Sequence, residues 1–261
     1  MIRKLTNQDN QQILSYLKKE TAMNLFLIGD IEAFGYDTDF QELWGQFTED
    51  NELRGVLLRF HDSFIPYAAE SFSLEEFASK IDSNGPIKIS GKSEVVEQFE
   101  TIPTLTLGEK RRLYFAECTN DNELDLEKNE KNIKIATIDD VPSIMKLRKQ
   151  IAEFTLGDES EKLLRQAIET NTGRTYYIEK DDEMVACAST SAENSLSAMV
   201  VGVCTHDNYR GKGYASQLLS KMIADFTAEG RSLCLFYDNP AAGRIYKRLG
   251  FKDIGTWTMY R

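Results

Sequence analysis

The sequence predicts a mixed-sheet α/β fold built as two successive units, and three observations lead there. Short apolar runs rich in β-branched residues alternate with segments whose apolar residues recur at i, i+3, i+4 and i+7, the patterns of strands and amphipathic helices. A polar stretch, Thr119 to Lys131 (TNDNELDLEKNEK), is nearly free of bulky apolar residues and reads as a linker between 1–118 and 132–261. After it the pattern begins again. Ile133-Lys134-Ile135-Ala136-Thr137-Ile138-Asp139-Asp140 echoes Ile2-Arg3-Lys4-Leu5-Thr6-Asn7-Gln8-Asp9, each followed by a helical segment, which points to a duplicated unit.

In the first half Ile2 to Leu5 reads as a strand, and Ile13, Leu14 and Leu17 mark one face of a helix. Asn24 to Phe34 is a second amphipathic helix. Two or three strands are expected between Glu42 and Tyr67, with Glu49-Asp50-Asn51 as a hairpin turn. Leu74 to Lys80 and Glu94 to Phe99 read as helices, Ile87 to Ser90 and Arg112 to Cys118 as strands. Ser90-Gly91-Lys92-Ser93 invites comparison with a phosphate loop, but the required first glycine would fall at Pro86. The stretch reads instead as a turn before a helix capped by Ser93.

The second half continues with helices Val141–Phe154 and Glu159–Glu169, then strand Thr175–Lys180, a turn at Asp181-Asp182 and strand Met184–Thr190. Strand Leu196–Thr205 leads through a tight turn into a helix, followed by strand Leu233–Tyr237 and helix Pro240–Leu249. Two short strands, near Lys252–Ile254 and Trp257–Tyr260, close the chain.

Composition narrows the function. Hydrophobic residues make up 41% and aromatics 10% of 261 residues, enough for packed cores rather than disorder. No apolar run approaches a membrane span, and the N-terminus lacks a signal-peptide apolar region, so a cytoplasmic protein without a membrane partner is expected. A net charge of −11 argues against nucleic-acid binding, which needs a basic face. Cys118, Cys187, Cys204 and Cys234 are widely spaced, and His61 and His206 have no ligand-spaced neighbours, so neither a metal site nor a disulfide framework is expected.

The turn after Thr205 carries the chemistry. Met199 to Thr205 is an apolar run containing Val200, Val201 and Val203, and His206-Asp207-Asn208 breaks it. Arg210-Gly211-Lys212-Gly213-Tyr214-Ala215 then opens a helix whose apolar stripe is Ala215, Leu218, Leu219, Met222, Ile223 and Phe226. Bare backbone N–H groups, two cations and the positive end of a helix dipole together make an anion site. The third glycine of a dinucleotide fingerprint is missing, and the Gly-Lys-Ser/Thr of a Walker loop is absent.

The form R-x-x-G-x-A at 210–215 resembles the acyl-CoA pyrophosphate loop of the GNAT superfamily of N-acyltransferases, [QR]-x-x-G-x-[GA]. A second stretch, Asn239 to Phe251 (NPAAGRIYKRLGF), is similar to the segment that follows the fifth strand of that family, N-x-x-A-x-x-x-Y-x-x-x-G-F. The element order of 132–261 matches the same fold, and the first half reads as a degenerate copy in a tandem arrangement. Within the superfamily, the Val-x-Thr before the loop, YRGKGYAS and NPAxxxIY resemble the branch of glycine N-acyltransferases and their bacterial relatives.

The resemblance implies acetyl-CoA as co-substrate, no metal, and a primary amine on a small molecule or peptide as acceptor. It places the diphosphate on Arg210, Gly211, Lys212, Gly213, Tyr214 and Ala215, and the pantetheine arm on the strand edge at Val203, Cys204 and Thr205. Asn239 would bond the arm or cap the helix opened by Pro240. Tyr246 takes the position of the acid that protonates the leaving thiolate. The Glu that some relatives carry on the fifth strand corresponds to Cys234, so no base is assigned; Asp238, Glu193 and a water chain stay open. A sensor that binds acyl-CoA without turnover is the alternative, and the protein is expected as a monomer or homodimer.

Overall fold

In the computed structural model residues 1–36, 38–82, 85–120 and 132–261 are described; positions 121–131, most of the stretch read as a linker, lie outside them. The described chain divides into two compact units, Met1–Phe115 with Ile254–Arg261, and Ala116–Asp253.

The first unit contains β1 (Ile2–Lys4), α1 (Asn10–Leu17), α2 (Leu25–Phe34), β2 (Gln41–Phe47), β3 (Leu53–Phe60), β4 (Ser63–Tyr67), α3 (Leu74–Ala78), β5 (Lys88–Lys92), α4 (Ser93–Val96) and most of β6 (Lys110–Cys118). Its strands run in the order β1-β2-β3-β4-β5, antiparallel except for the parallel pair β4–β5. Asn51, in the β2–β3 turn, sits at φ 62°, a left-handed conformation that asparagine tolerates.

Three sequence expectations change here. Ser90 to Lys92 is strand, not turn, and a Cβ at Gly91 would stand 3.0 Å from the Pro66 carbonyl oxygen. Ser93 begins α4 rather than capping it, and its hydroxyl bonds Thr258 Oγ1 at 2.9 Å. The chain end is also a single strand, β12 (Lys252–Tyr260), rather than two. Its Trp257 to Tyr260 pair antiparallel with Lys92 to Ile89, and Trp257 and Tyr260 are buried there, so Ile254–Arg261 belongs to the first unit.

The second unit contains β7 (Ile133–Ile135), α5 (Val141–Lys149), α6 (Ser160–Glu169), β8 (Thr175–Lys180), β9 (Glu183–Ser191), β10 (Ser197–Thr205), α7 (Tyr214–Ala228), β11 (Ser232–Tyr237) and α8 (Pro240–Arg248). Its strand order is β7-β8-β9-β10-β11, again antiparallel until the parallel pair β10–β11. Successive residues of β8 and β9 face opposite sides, as the period of two requires. Tyr176, Ile178, Ala186 and Ala188 pack with Leu218, Leu219, Met222, Ile223 and Phe226 of α7. Tyr177 and Cys187 face the other way, against Ile144, Met145 and Leu147 of α5 and Leu164 of α6.

The recurring octapeptide has a structural counterpart. In both copies the aspartate three residues after the threonine accepts from the threonine N–H, at 2.9 Å for Thr6–Asp9 and 2.8 Å for Thr137–Asp140. The same carboxylate oxygen accepts from the threonine hydroxyl in each. Both boxes open a 3-10 turn that runs directly into a helix.

Candidate active site

Strands β10 and β11 lie in register only from Ser197↔Ser232 to Met199↔Cys234. Past that point β10 continues to Thr205 along β9, with a bulge between Val201 and Cys204 at Gly202, whose φ is +61°. The C-terminal end of β10 thus presents Val203, Cys204 and Thr205 to a cleft of about 620 Å³. Bulges and interior glycines of this kind mark a close approach of another group to the backbone.

The floor at one end is the turn before α7. Gly211 and Gly213 have φ of +76° and +80°, left-handed values that disfavour any residue with a Cβ. A Cβ would meet nothing within 4 Å at Gly211, and only Gln217 Nε2 at 4.0 Å at Gly213. Both glycines serve the backbone and leave open space on the cleft side. The first turn of α7 leaves its N–H groups without intrahelical acceptors. Arg248, in the last turn of α8, lines the same cleft, and its Nη2 donates to Ser216 Oγ at 3.5 Å. It adds a cation that the sequence reading did not place there.

Arg210 is engaged on the protein itself. Its guanidinium makes a two-pronged pair with Glu153, at 3.0 and 3.1 Å, and lies 3.0 Å from Asp207. These side chains are all about half exposed or more, so the pair is weakly held and screened by solvent. The Arg210 guanidinium holds the Glu153 carboxyl below the usual carboxylate range.

Of the residues named from sequence, Val203, Cys204, Thr205, Arg210, Gly211, Gly213, Tyr214, Ala215, Asn239 and Tyr246 all line this cleft. Lys212 does not; its ammonium lies over the Tyr209 ring, 4.6 Å from the centroid. Asn239 caps α8, its Oδ1 accepting from the Ala241 N–H at 2.8 Å. Among the described residues the Tyr246 hydroxyl has no hydrogen-bond partner, and burial raises its pKa. The ring packs against Tyr237 and Phe251, with centroids 5.8 and 6.0 Å away.

Ile151, Glu153 and Phe154 also line the cleft, and the sequence reading had put them in a helix. The helix α5 stops at Lys149, and the chain turns there, with the N–H of Phe154 bonding the Ile151 carbonyl at 3.1 Å. Cys234 is fully buried and burial raises its thiol pKa, so it supplies no base. Glu193 is only 5% exposed, held by Arg174 at 3.0 Å and Arg231 at 3.1 Å. It stands at the opposite end of β10 from the cleft, about 20 Å away along the strand. Cys204 and Cys187 face each other with sulfurs 3.5 Å apart; the hydrogen bond between them and the charge of Arg148 draw the Cys187 thiol down, while that bond and burial push Cys204 up.

Residues 141–251, which contain both motifs and every wall of the cleft, match the model of the acetyltransferase (GNAT) family. The chain carries a GNAT acetyltransferase domain. No curated protein matches the chain. Solved structures extend the likeness of fold beyond the GNAT domain. A GCN5-related N-acetyltransferase from Sphaerobacter thermophilus covers 100% of this chain and 94% of its own, at TM-score 0.63 and 13% identity. A Drosophila protein covers 100% and 98% at TM-score 0.70 and 10% identity. A tandem GNAT protein from the clavulanic acid biosynthesis pathway covers 100% and 97% at TM-score 0.60 and 12% identity. At these identities the likeness is one of fold. Among the described residues no helix is long and apolar enough to cross a membrane, and no cluster of three or more His, Cys, Asp or Glu side chains could hold a metal ion.

Proposed function

We propose that the cleft binds acetyl-CoA and that the protein transfers the acetyl group to a primary amine. The observation that carries this reading is the convergence, on one cleft within a GNAT domain, of the glycine turn before α7, the splayed end of β10 and an unpartnered Tyr246 hydroxyl. Open glycines at left-handed φ, with the N–H groups of the first turn of α7, suit a diphosphate that must approach the main chain. Arg210 and Arg248 supply charge beside it. The unpaired edge at Val203 to Thr205 suits the amides of the pantetheine arm. The Asn239 Oδ1 is taken by its cap, which leaves its amide N–H₂ for the arm.

In this reading the neutral amine attacks the thioester carbonyl. The N–C bond forms, the tetrahedral intermediate collapses with cleavage of the C–S bond, and the amine proton leaves to water. Tyr246 gives its proton to the departing thiolate and recovers one from solvent. A raised phenol pKa keeps that proton in place at neutral pH. Holding both reactants in one cleft supplies much of the acceleration. Residues 1–118 are proposed as a degenerate GNAT-like companion, 119–131 as the linker and 132–261 as the catalytic part of a cytoplasmic enzyme.

The test is thiol release from acetyl-CoA with a panel of amines, alongside thermal shift with coenzyme A. A ligand at a hundred times its Kd should add about 2.7 kcal/mol of stability. A shift without thiol release for any amine would favour the sensor; no shift at all would remove the reading.

A further inference from the structure

Two of the cysteines form a pair beside the cleft. Cys187 on β9 and Cys204 on β10 stand opposite each other in the antiparallel ladder, just past the bulge at Gly202, with sulfurs 3.5 Å apart. Residues so placed have Cα atoms about 4.5–5.5 Å apart, within the span of about 4.4–6.8 Å that a disulfide bridges. The two differ in access: Cys187 is fully buried, whereas Cys204, 6% exposed, lines the cleft. A cation is fixed beside them. Arg148, in the last turn of α5, lies over Gly202: a Cβ built there would stand 2.6 Å from Nη2 and 3.0 Å from Cζ. Its Nη2 donates to Ser189 Oγ at 2.6 Å, and that hydroxyl is bonded to Thr175 Oγ1, also at 2.6 Å. The hydrogen bond with Cys204, and then the charge and a hydrogen bond of Arg148, draw the Cys187 thiol down. A structural cysteine in apolar surroundings is inert. Cys234 is of that kind, its thiol pushed up by burial; the 187–204 pair, with a partner thiol and a cation at hand, is not.

We infer that Cys187 and Cys204 are an oxidisable dithiol: a hydroperoxide entering the cleft joins them as a disulfide, and the bridge draws the end of β10 away from the cofactor. Cys187 takes the Cys204 proton across their hydrogen bond as the Cys204 sulfur attacks a peroxide oxygen. The O–O bond breaks, hydroxide leaves and becomes water with a solvent proton, and Cys204 is left as a sulfenic acid. The Cys187 sulfur then attacks the Cys204 sulfur. The S–S bond forms, the S–O bond breaks, and the hydroxyl departs as water with the Cys187 proton. The two sulfurs lose two electrons and the peroxide gains them. Closing 3.5 Å to a bond of about 2.05 Å takes about 1.5 Å of movement. β9 is held on its other side by β8, with Cys187 opposite Tyr177, and its Ala186 and Ala188 are fully buried. β10 pairs with β11 only as far as Met199. The movement therefore falls on Val203 to Thr205, the edge proposed for the pantetheine arm. That consequence rests on the acetyl-transfer reading above; formation of the bridge does not.

The test treats the full, reduced chain with hydrogen peroxide and then removes the oxidant. Cleavage after glutamate parts Cys187 from Cys204 at Glu193, so peptide maps without reductant identify the bridge by mass; the expected product links 187 to 204. Affinity is read by isothermal titration with acetyl-CoA, which has no free thiol to reduce the bridge. It should fall about tenfold on oxidation, the scale of one or two main-chain hydrogen bonds, and return with dithiothreitol. In Cys187→Ala the bridge cannot form, and the reversible loss of affinity should vanish. No bridge in the wild type, a bridge through Cys118 or Cys234 instead, or unchanged affinity in bridged protein would each overturn the inference, as would a reversible loss that persists in Cys187→Ala. Reduced protein that fails to bind acetyl-CoA would remove the acetyl-transfer reading and with it the effect on the cleft, while the peptide map would still decide the bridge.

Discussion

The two ends of α7 offer an internal control on the site proposed for coenzyme A. Gly213, before the helix, has φ +80°, and Gly230, after it, has φ +71°. A Cβ at Gly230 meets nothing within 4 Å, and at Gly213 only a side-chain nitrogen at ordinary contact distance. Neither Gly→Ala change collides with protein, so each costs only the left-handed penalty of a residue with a Cβ, about 1–2 kcal/mol. For a protein of this size that lowers Tm by about 2–8 °C, and the two variants should fall by similar amounts. They should part in binding. At Gly213 the new methyl enters the space proposed for the diphosphate, and coenzyme A affinity should drop at least tenfold. At Gly230 affinity should match the wild type. Melting curves with isothermal titration of coenzyme A into both variants decide it. Equal affinities in Gly213→Ala and Gly230→Ala, with equal melting losses, would refute the placement of the diphosphate at this turn.

Other changes probe separate parts of the argument. Tyr246→Phe should lower kcat by 10²–10⁴ while coenzyme A affinity changes less than twofold, the span expected for loss of a general acid; parallel losses in titration and turnover would contradict that role. Arg210→Ala should weaken coenzyme A binding by tenfold or more, steeply with falling salt, whereas Glu153→Gln frees the guanidinium and should tighten it, by less than about fivefold because the pair is exposed. Weaker binding in Glu153→Gln would show that the carboxylate helps rather than competes. Asp30, on α2, is pushed up to about 7 by burial. Between pH 4 and 7 the folded state then holds a proton that the unfolded chain has lost, so its contribution to stability falls as pH rises through that window. Asp30→Asn should therefore be the more stable protein at pH 8, by about 1–4 kcal/mol, with the gap closing toward pH 4; denaturant titrations that find a pH-independent difference would refute this.

What the sequence shows and what it hides follow from the range over which each feature is decided. The stripe of α7 and the glycine turn before it were legible because helix periodicity and the backbone needs of Gly211 and Gly213 are local. The extent of α5 was not. Leu147, Ile151 and Phe154 keep helical spacing, yet the helix stops at Lys149 and Ile151 and Phe154 pack on the same core from a turn. Apolar spacing reports which core a residue faces, not the backbone path that brings it there. The terminal strand shows the same limit at longer range: Lys252–Tyr260 reads as extended locally, while its pairing with β5, on the far side of more than half the sequence, depends on contacts no window contains.

Arg148 is the sharper case. A cation in the last turn of a helix reads as an ordinary partner of the helix dipole, exposed to water. Only the fold brings it over Gly202, where a single glycine, unremarked in an apolar strand, opens the space its guanidinium occupies. Neither residue means much without the other, and they are separated by two strands and a helix. The same holds for Glu153 and Arg210, which lie far apart in the sequence and pair only because the turn after α5 brings the carboxylate to the cleft. The glycine turn proposed for the diphosphate can be read from sequence because its backbone geometry is set within a few residues. The walls of the cleft come from separate elements, the end of β10, the loop after α5, the turn before α7 and α8, so they come together only once the chain has folded.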